Sequence, residues 1–330
     1  MQNTKNISAS PFLRDNDTTT RGIMLDVILA MVPTILASVW FFGYRALLVI
    51  TVAVVVSVFS EWLYQYLTKQ KSTIGDLSAV VTAILFAFNL PSDAPIWMVC
   101  VGSVLAIILI KQFFGGIGQN FMNPALGART ILMLSWASLM SATVMPNAGE
   151  IIGMGAVDIV SQATPLATNA PVYSIMDLFL GNIPGMLGET QKLTLIIGGL
   201  WLIWRKVIDW RVPITFLGTC AVLFWIQTGT LYSVESGANN VLYQLLSGGL
   251  ILGAFFMATD YVTCPIQKTG RIIMGVGCGF FVFIIRAYSG SYPEGTSFAI
   301  LFMNLLTPLI DKLTLQKSFG STKKKGGLKA

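Results

Sequence analysis

The sequence predicts an all-α integral membrane protein of about ten transmembrane helices, arranged as two inverted five-helix repeats with broken helices. Three observations carry this. Of 330 residues, 54% are hydrophobic and only 11% charged, with a mean hydropathy of +0.72, whereas a soluble domain is charged at about a quarter of its positions. The apolar residues gather in runs approaching the ~20 residues that a helix needs to cross a ~30 Å hydrocarbon core. The two halves of the chain also share residues at matched spacings. The apolar content excludes disorder as well, because it buries enough surface to offset chain entropy.

Residues 1–22 form a polar tail of mixed charge, without the basic, apolar and small-residue order of a cleaved leader, so the first span is expected to direct insertion. Spans are expected at 23–42, 46–67, 77–90, 96–114 and 125–144, which make the first membrane repeat over 23–144. Spans at 193–204, 213–231, 241–258, 272–285 and 297–310 make the second, over 193–311. Residues 145–192 form a loop between them, and 312–330 a basic tail. The segments 77–90, 193–204 and 272–285 are too short to cross alone: either their ends lie further out or the helices are broken within the membrane.

Counting Lys and Arg fixes the expected orientation. With both termini cytoplasmic, eighteen basic residues fall on the inner side, and only Arg45, Lys192 and Arg286 on the outer side. The run Lys323-Lys324-Lys325 then lies in solvent or against anionic lipid. The 145–192 loop is placed outside. It is net acidic, rich in Gly and Pro, and far longer than a connector needs to be.

The repeat shows in spacing. Leu77-Ser78 is followed eight residues on by Phe86, as Leu246-Ser247 is by Phe255, and Gly102 precedes Gly115 by thirteen, as Gly277 precedes Gly290. An odd number of spans per copy turns the second copy upside down in the bilayer. Such folds tolerate irregular backbone at membrane depth only beside protein or a cavity. The candidate breaks are 115–124, 289–295 and Ala258-Thr259-Asp260, with ordinary surface turns as the alternative.

There is no His, which removes imidazole metal sites, Ser-His-Asp triads and His proton relays. Cys100, Cys220, Cys264 and Cys278 lack the short spacing of a metal or redox pair and read as small membrane residues. In the outer loop, Asp158-Ile159-Val160-Ser161-Gln162-Ala163-Thr164 has the form Asp, two residues, Ser, one residue, Ala-Thr. That form is the acceptor pattern for covalent flavin attachment, in which a transferase moves the FMN phosphate of FAD onto the threonine hydroxyl. The chemistry asks for an accessible loop, small neighbours such as Ser161 and Ala163, and one unhindered hydroxyl. Alone it is equally a Ser/Thr/Ala-rich loop turning at Pro165.

Further segments accompany it. Ser10-Pro11-Phe12, Trp40-Phe41-Phe42-Gly43, Gly115-Gly116-Ile117-Gly118-Gln119-Asn120 with Asn123-Pro124-Ala125, Phe256-Met257-Ala258-Thr259-Asp260, Glu294-Gly295-Thr296-Ser297 and Pro308-Leu309-Ile310-Asp311 occur in order along the chain. With them the chain resembles, over nearly its full length, the D subunits of Rnf-type ferredoxin:NAD oxidoreductase complexes. It is more distantly similar to the B subunits of sodium-pumping NADH:quinone reductases. Gln162, where a Gly often precedes the Ala-Thr pair, and Tyr261, where Pro often follows the Asp, depart from that pattern.

The resemblance implies that Thr164 carries FMN as a threonyl phosphoester, with Asp158 recognised by the transferase. It implies a second, non-covalent flavin, riboflavin or FMN, near Asn120 and Asn123, with Asp260 as a third contact. Amides suit an isoalloxazine edge because they both donate and accept; bracing a broken helix is the other role open to them. The implied setting is the cytoplasmic membrane of a bacterium or archaeon. There the chain would relay electrons inside a complex that moves Na+ or H+. Ferredoxin and NAD would be handled by partner subunits, because this chain has no nucleotide fingerprint or cluster-ligand set and is not catalytic alone. Expected partners are those subunits, the flavin transferase and membrane lipid, not nucleic acid. Asp26, Glu61 and Asp76, in or beside spans, are candidates for the ion path. The competing expectation is a flavin-free channel or transporter on an inverted repeat of the urea-channel-like type.

Overall fold

The computed structural model describes residues 19–146, 164–166, 171–231, 240–288 and 295–315. Apart from one antiparallel bridge between Pro91 and Met186, regular structure among these residues is entirely helical. The chain is an all-α membrane protein: Thr20–Leu67, Arg211–Thr228, Lys268–Tyr288 and Thr296–Thr314 are each long and apolar enough to cross a bilayer.

Helix α1, Thr20–Leu67, starts at Thr19, whose hydroxyl accepts from Gly22 N at 3.1 Å. It departs from helical geometry only at Gly43, with φ 65° and ψ −155°, a backbone state that a side chain strains. The expected spans 23–42 and 46–67 are therefore two halves joined at one residue. Each half, at 1.5 Å per residue, reaches roughly 35 Å. Helix α2, Ser78–Phe88, is only 11 residues long, and α3, Ile96–Val104, runs on as a π-helix over Leu105–Gln112. Helix α4, Pro124–Ser135, opens with proline in its first turn under the Asn123 cap. The expected span 125–144 divides at Trp136 (φ −134°, ψ 57°), after which α5 covers Ala137–Met140.

In the second half, α6 is Ile175–Leu180, α7 Lys192–Trp204 and α8 Arg211–Thr228. Helices α9, Val241–Leu246, and α10, Leu250–Leu252, together with a π-helix over Gly253–Met257, form one broken segment. Helix α11, Lys268–Tyr288, has 21 residues, so the shortness expected at 272–285 lay in the assigned ends. Helix α12 is Thr296–Thr314. A long element, a short one and a long one follow each other in 44–112 and again in 211–288.

Polar contacts sort the helix ends into two groups. At one, Asp209 pairs with Arg211 (2.9 Å) and Arg271 (2.8 Å), Asp26 with Arg205 (3.1 Å), and Asp311 accepts from Ile266 N (3.0 Å). Burial alone would raise the Asp209 carboxyl, but the Arg211 N–H and the two guanidiniums outweigh it and hold the group below the usual carboxylate range. At the other end Arg45 pairs with Asp93 (2.7 Å), and Arg286 donates to the carbonyls of Gln244 and Ser247. Exposed Tyr66, Trp204 and Trp210 ring the first end, and Trp40, Tyr44 and Tyr288 the second, as interfacial belts do.

The halves lock together at the bundle centre. Asn89, the C-cap of α2, lies 3.8 Å (Nδ2 to Sδ) from Met257, where the second broken segment ends. The Arg129 guanidinium, on α4, donates from Nη1 to Asn89 Oδ1 (3.1 Å) and to Ser297 Oγ on α12 (2.8 Å). Elsewhere close packing replaces the hydrophobic drive that lipid does not supply. On α11, a Cβ at Gly279 would stand 2.8 Å from Phe216 O and 2.7 Å from Thr219 Cβ of α8. Residues 181–191, rich in Gly and expected in the outer loop, are mostly buried. Leu187 and Gly188 donate to the carbonyls of Leu90 and Phe88 just past α2 (3.0 Å each), and Ser38 Oγ donates to Leu187 O (2.7 Å). These bonds answer the carbonyls that a half-length helix leaves open inside a membrane.

Candidate functional site

A cavity of about 570 Å³ opens among α1, α2, the 113–123 turn, the π-segment Gly253–Met257 and the loop before α11, at the arginine-rich end. Its volume lies in the range of small-molecule sites. It brings Asn120 and Asn123 together with Asp260, which lies 137 or more residues further along the chain. Apolar walls come from Val81, Leu85, Phe255 and Phe256. The turn that closes one side is built on Gly115, Gly116 and Gly118, at φ 111°, 87° and 88°.

The three polar residues are used differently. Asn123 caps α4, its Oδ1 accepting from Ala125 N (3.0 Å) and Leu126 N (3.3 Å), while its Nδ2 donates to Met257 O (3.4 Å). Its own N–H donates to the amide oxygen of Asn304 (3.1 Å) once that amide is oriented to satisfy Ile300 O as well. Asn123 therefore braces the joint between halves at the cavity wall. Asn120 spends only its amide nitrogen, on Met122 O (3.1 Å), and keeps an acceptor oxygen for the cavity. Asp260 is half-buried. Desolvation pushes its carboxyl above the ordinary range, against hydrogen bonds from the N–H groups of Val262 and Tyr261 and the Thr263 hydroxyl. A carboxyl shifted towards its protonated form can donate as well as accept.

Sequence reading paired none of the charged residues in the wall. Lys111, 3% exposed, reaches both carboxylate oxygens of Glu61, 0% exposed, at 3.1 Å. Glu61 also accepts from Gln112 (2.7 Å), Thr73 (3.2 Å) and Gln65 (3.3 Å). Lys111 donates to Ser78 Oγ (2.6 Å), and Ser78 Oγ donates to Asp76 Oδ1 (2.6 Å). Asp76 also caps α2 through Ser78 N (2.8 Å). Of the three carboxylates in or beside spans, Glu61 thus has a buried cation, Asp76 caps a helix, and Asp26 pairs at the bundle end. A charge inside an apolar run, as Lys111 is, was the available signal.

At the opposite end stands Thr164, half-buried, next to Pro165, which is buried. The Tyr243 hydroxyl of α9 donates to Pro165 O (3.5 Å), and Tyr243, Leu178 and Ile183 form a small apolar cluster there. Asp158, Ser161 and Ala163 lie outside the described residues. The broken segment that carries Tyr243 also carries Phe255, which lines the cavity wall. All four cysteines are unpaired thiols, and the described residues contain no cluster of His, Cys, Asp or Glu suited to a metal.

Comparison with known proteins bears on these features. Residues 6–320 match the NQR2, RnfD, RnfE family. The chain is 42% identical to the D subunit of the Na(+)-translocating ferredoxin:NAD(+) oxidoreductase complex of Acetobacterium woodii, over 98% of both chains. It is 38% identical to the D subunit of the proton-translocating ferredoxin:NAD(+) oxidoreductase complex of Clostridium ljungdahlii, over 96% of both. It is 37% identical to the D subunit of an ion-translocating oxidoreductase complex of Escherichia coli, over 96% of this chain and 99% of that one. The chain belongs to the NQR2, RnfD, RnfE family, as the resemblance carried by its ordered motifs implied.

Proposed function

We propose that the chain is the flavin-carrying membrane subunit of an Rnf-type electron transport complex. In this reading Thr164 holds FMN as a phosphoester, and the cavity at the arginine-rich end holds a second flavin, riboflavin or FMN, without a covalent bond. Electrons pass between ferredoxin and NAD, both bound by partner subunits, and the complex couples that flow to Na+ or H+ movement. The arginine-rich end faces the cytoplasm by the positive-inside bias, and Thr164 faces outwards.

The observation that carries the reading is the placement of two flavin-suited sites at opposite ends of one bundle, joined by the broken segment from Tyr243 to Phe255. The fit at the cavity rests on its size, its aromatic and aliphatic walls, and the polar edge offered by Asn120 and Asp260. When bound, a flavin supplies one- and two-electron chemistry that the side chains lack. The channel reading has less support. What weighs against it is a charge placed where the two segments meet: the Arg129 guanidinium stands buried between Asn89 and Ser297, held by hydrogen bonds to both.

The test is flavin fluorescence in a denaturing gel, on full-length chain made together with a flavin transferase. A fluorescent band that disappears in Thr164→Ala is expected. A dark band from the unaltered chain, while the transferase labels a control acceptor in the same cells, overturns the covalent site and brings the channel reading forward.

A further inference from the structure

Two turns contribute to the cavity wall, and they are held in opposite ways. Residues 113–122 bring Ile117, Gly118 and Asn120 to it, and residues 258–267 bring Tyr261, Val262 and Cys264. The second turn is tied to its neighbours on several sides. The Tyr261 hydroxyl donates to Val207 O in the loop between α7 and α8. On α12, Asp311 accepts from Ile266 N (3.0 Å) and the Thr307 hydroxyl donates to Thr263 O (2.8 Å). Arg271 of α11 adds a clamp, with Nε on Pro265 O (3.1 Å) and Nη1 on Asp209 (2.8 Å).

The first turn bonds only to itself and to the helix end it leaves. Gly115 N donates to Gln112 O (3.0 Å), Gly116 N to Lys111 O (3.0 Å), Gln119 N to Gly116 O (3.3 Å) and Asn120 Nδ2 to Met122 O (3.1 Å). Among the described residues, no hydrogen bond joins 114–122 to any other part of the bundle. Its ring pair, Phe114 with Phe121 at 4.6 Å, is internal too, so the turn holds together as a unit. Its base is fixed on both sides. Gln112 donates to Glu61 (2.7 Å), Phe113 packs on Tyr64 (6.0 Å between ring centroids), and Asn123 caps α4 and holds Met257. Between these points lie Gly115, Gly116 and Gly118, all at positive φ, and a Cβ on Gly118 would meet nothing within 4 Å. A segment with so few bonds outward belongs to the low-stability end of the molecule, from which moving loops are drawn.

We propose that residues 114–122 form a lid on the cavity, swinging between fixed points at Phe113 and Asn123 while the 258–267 turn stays in place. The lid carries Asn120, whose amide oxygen is uncommitted, so closure brings that acceptor to an occupant and opening withdraws it. The inference concerns access to the cavity and goes beyond the flavin reading, since it holds for any occupant of that size.

The experiment uses full-length chain in nanodiscs. Hydrogen–deuterium exchange of the unaltered chain, read by peptide mass spectrometry and corrected for intrinsic rates, is expected to run at least roughly tenfold faster in 114–122 than in 258–267. Equal exchange in the two turns overturns the lid. The second readout is the native Cys264 thiol in the cavity wall, modified by a charged methanethiosulfonate and located by peptide mass spectrometry. Burial pushes this thiol up to about 12, so little of it is thiolate and its slow modification leaves room for a rise. Gly118→Ala has space for its methyl group but is strained at φ 88°, so it is expected to displace the lid and speed Cys264 modification at least roughly tenfold. Gly75→Ala, with equally open surroundings and an ordinary φ, is expected to leave the rate unchanged. An unchanged rate in a monodisperse Gly118→Ala overturns the lid. So does acceleration in Tyr261→Phe alone, which assigns the opening to the 258–267 turn. A purified chain without flavin overturns the flavin reading of the cavity and leaves both lid readouts standing.

Discussion

Lys111→Met is expected to destabilise the chain by about 3–5 kcal/mol, because it leaves the Glu61 carboxylate buried at 0% exposure with no cation beside it. That is a large share of the roughly 5–15 kcal/mol by which domains are stable. Thermal unfolding in detergent, followed by size-exclusion monodispersity, reads the effect. Adding Glu61→Gln to Lys111→Met is expected to recover most of the loss, since an amide at position 61 still meets Gln112, Thr73 and Gln65 without a net charge. Equal melting of Lys111→Met and the unaltered chain would show that Glu61 and Lys111 do not form a buried ion pair.

Val262→Trp is expected to empty the cavity of its non-covalent flavin. Val262 lines the cavity from the loop before α11, so an indole there takes up ring-sized space without disturbing a helix contact. Acid-extractable flavin per chain is expected to fall at least roughly tenfold, which corresponds to ~1.4 kcal/mol of lost binding. The denaturation-resistant fluorescence on Thr164 is expected to stay, because that residue lies at the other end of the bundle against Tyr243. Undiminished extractable flavin would place the second flavin elsewhere.

Much of the fold was legible because bilayer thickness imposes a length on every apolar run. The half-lengths of α2, Ser78–Phe88, and α7, Lys192–Trp204, followed from runs too short to cross, whereas 241–258 reads as one continuous span and its break at Ser247 does not show in the apolar pattern. The boundaries that moved did so for local reasons. Helix α11 begins at Lys268, four residues before the expected span, because Arg271 turns out to Asp209 and to the Pro265 carbonyl instead of ending the helix. The division at Trp136 gives no signal, since Trp136-Ala137-Ser138-Leu139 is as apolar as what precedes it. Residues 181–191 read as part of a Gly- and Pro-rich loop, yet they bury themselves by answering the open carbonyls of Phe88 and Leu90.

The site was legible in its parts and not in its assembly. Asn120, Asn123 and Asp260 could be picked out as polar residues at breaks in apolar runs, but their gathering into one cavity depends on how the halves cross. The structure also separates the two asparagines by role, since Asn123 is consumed by capping α4 and holding Met257, while Asn120 keeps an open acceptor. The Glu61–Lys111 pair joins residues fifty apart on different helices, a relation that no periodicity encodes.

The most direct measurement is the flavin content of purified full-length chain, made with a flavin transferase and divided by acid precipitation into protein-bound and released pools. About one flavin in each pool per chain is expected, with Thr164→Ala removing only the bound pool and Val262→Trp only the released one. A chain that carries flavin in neither pool, although a control acceptor is labelled in the same cells, would contradict the assignment of this bundle as an electron carrier.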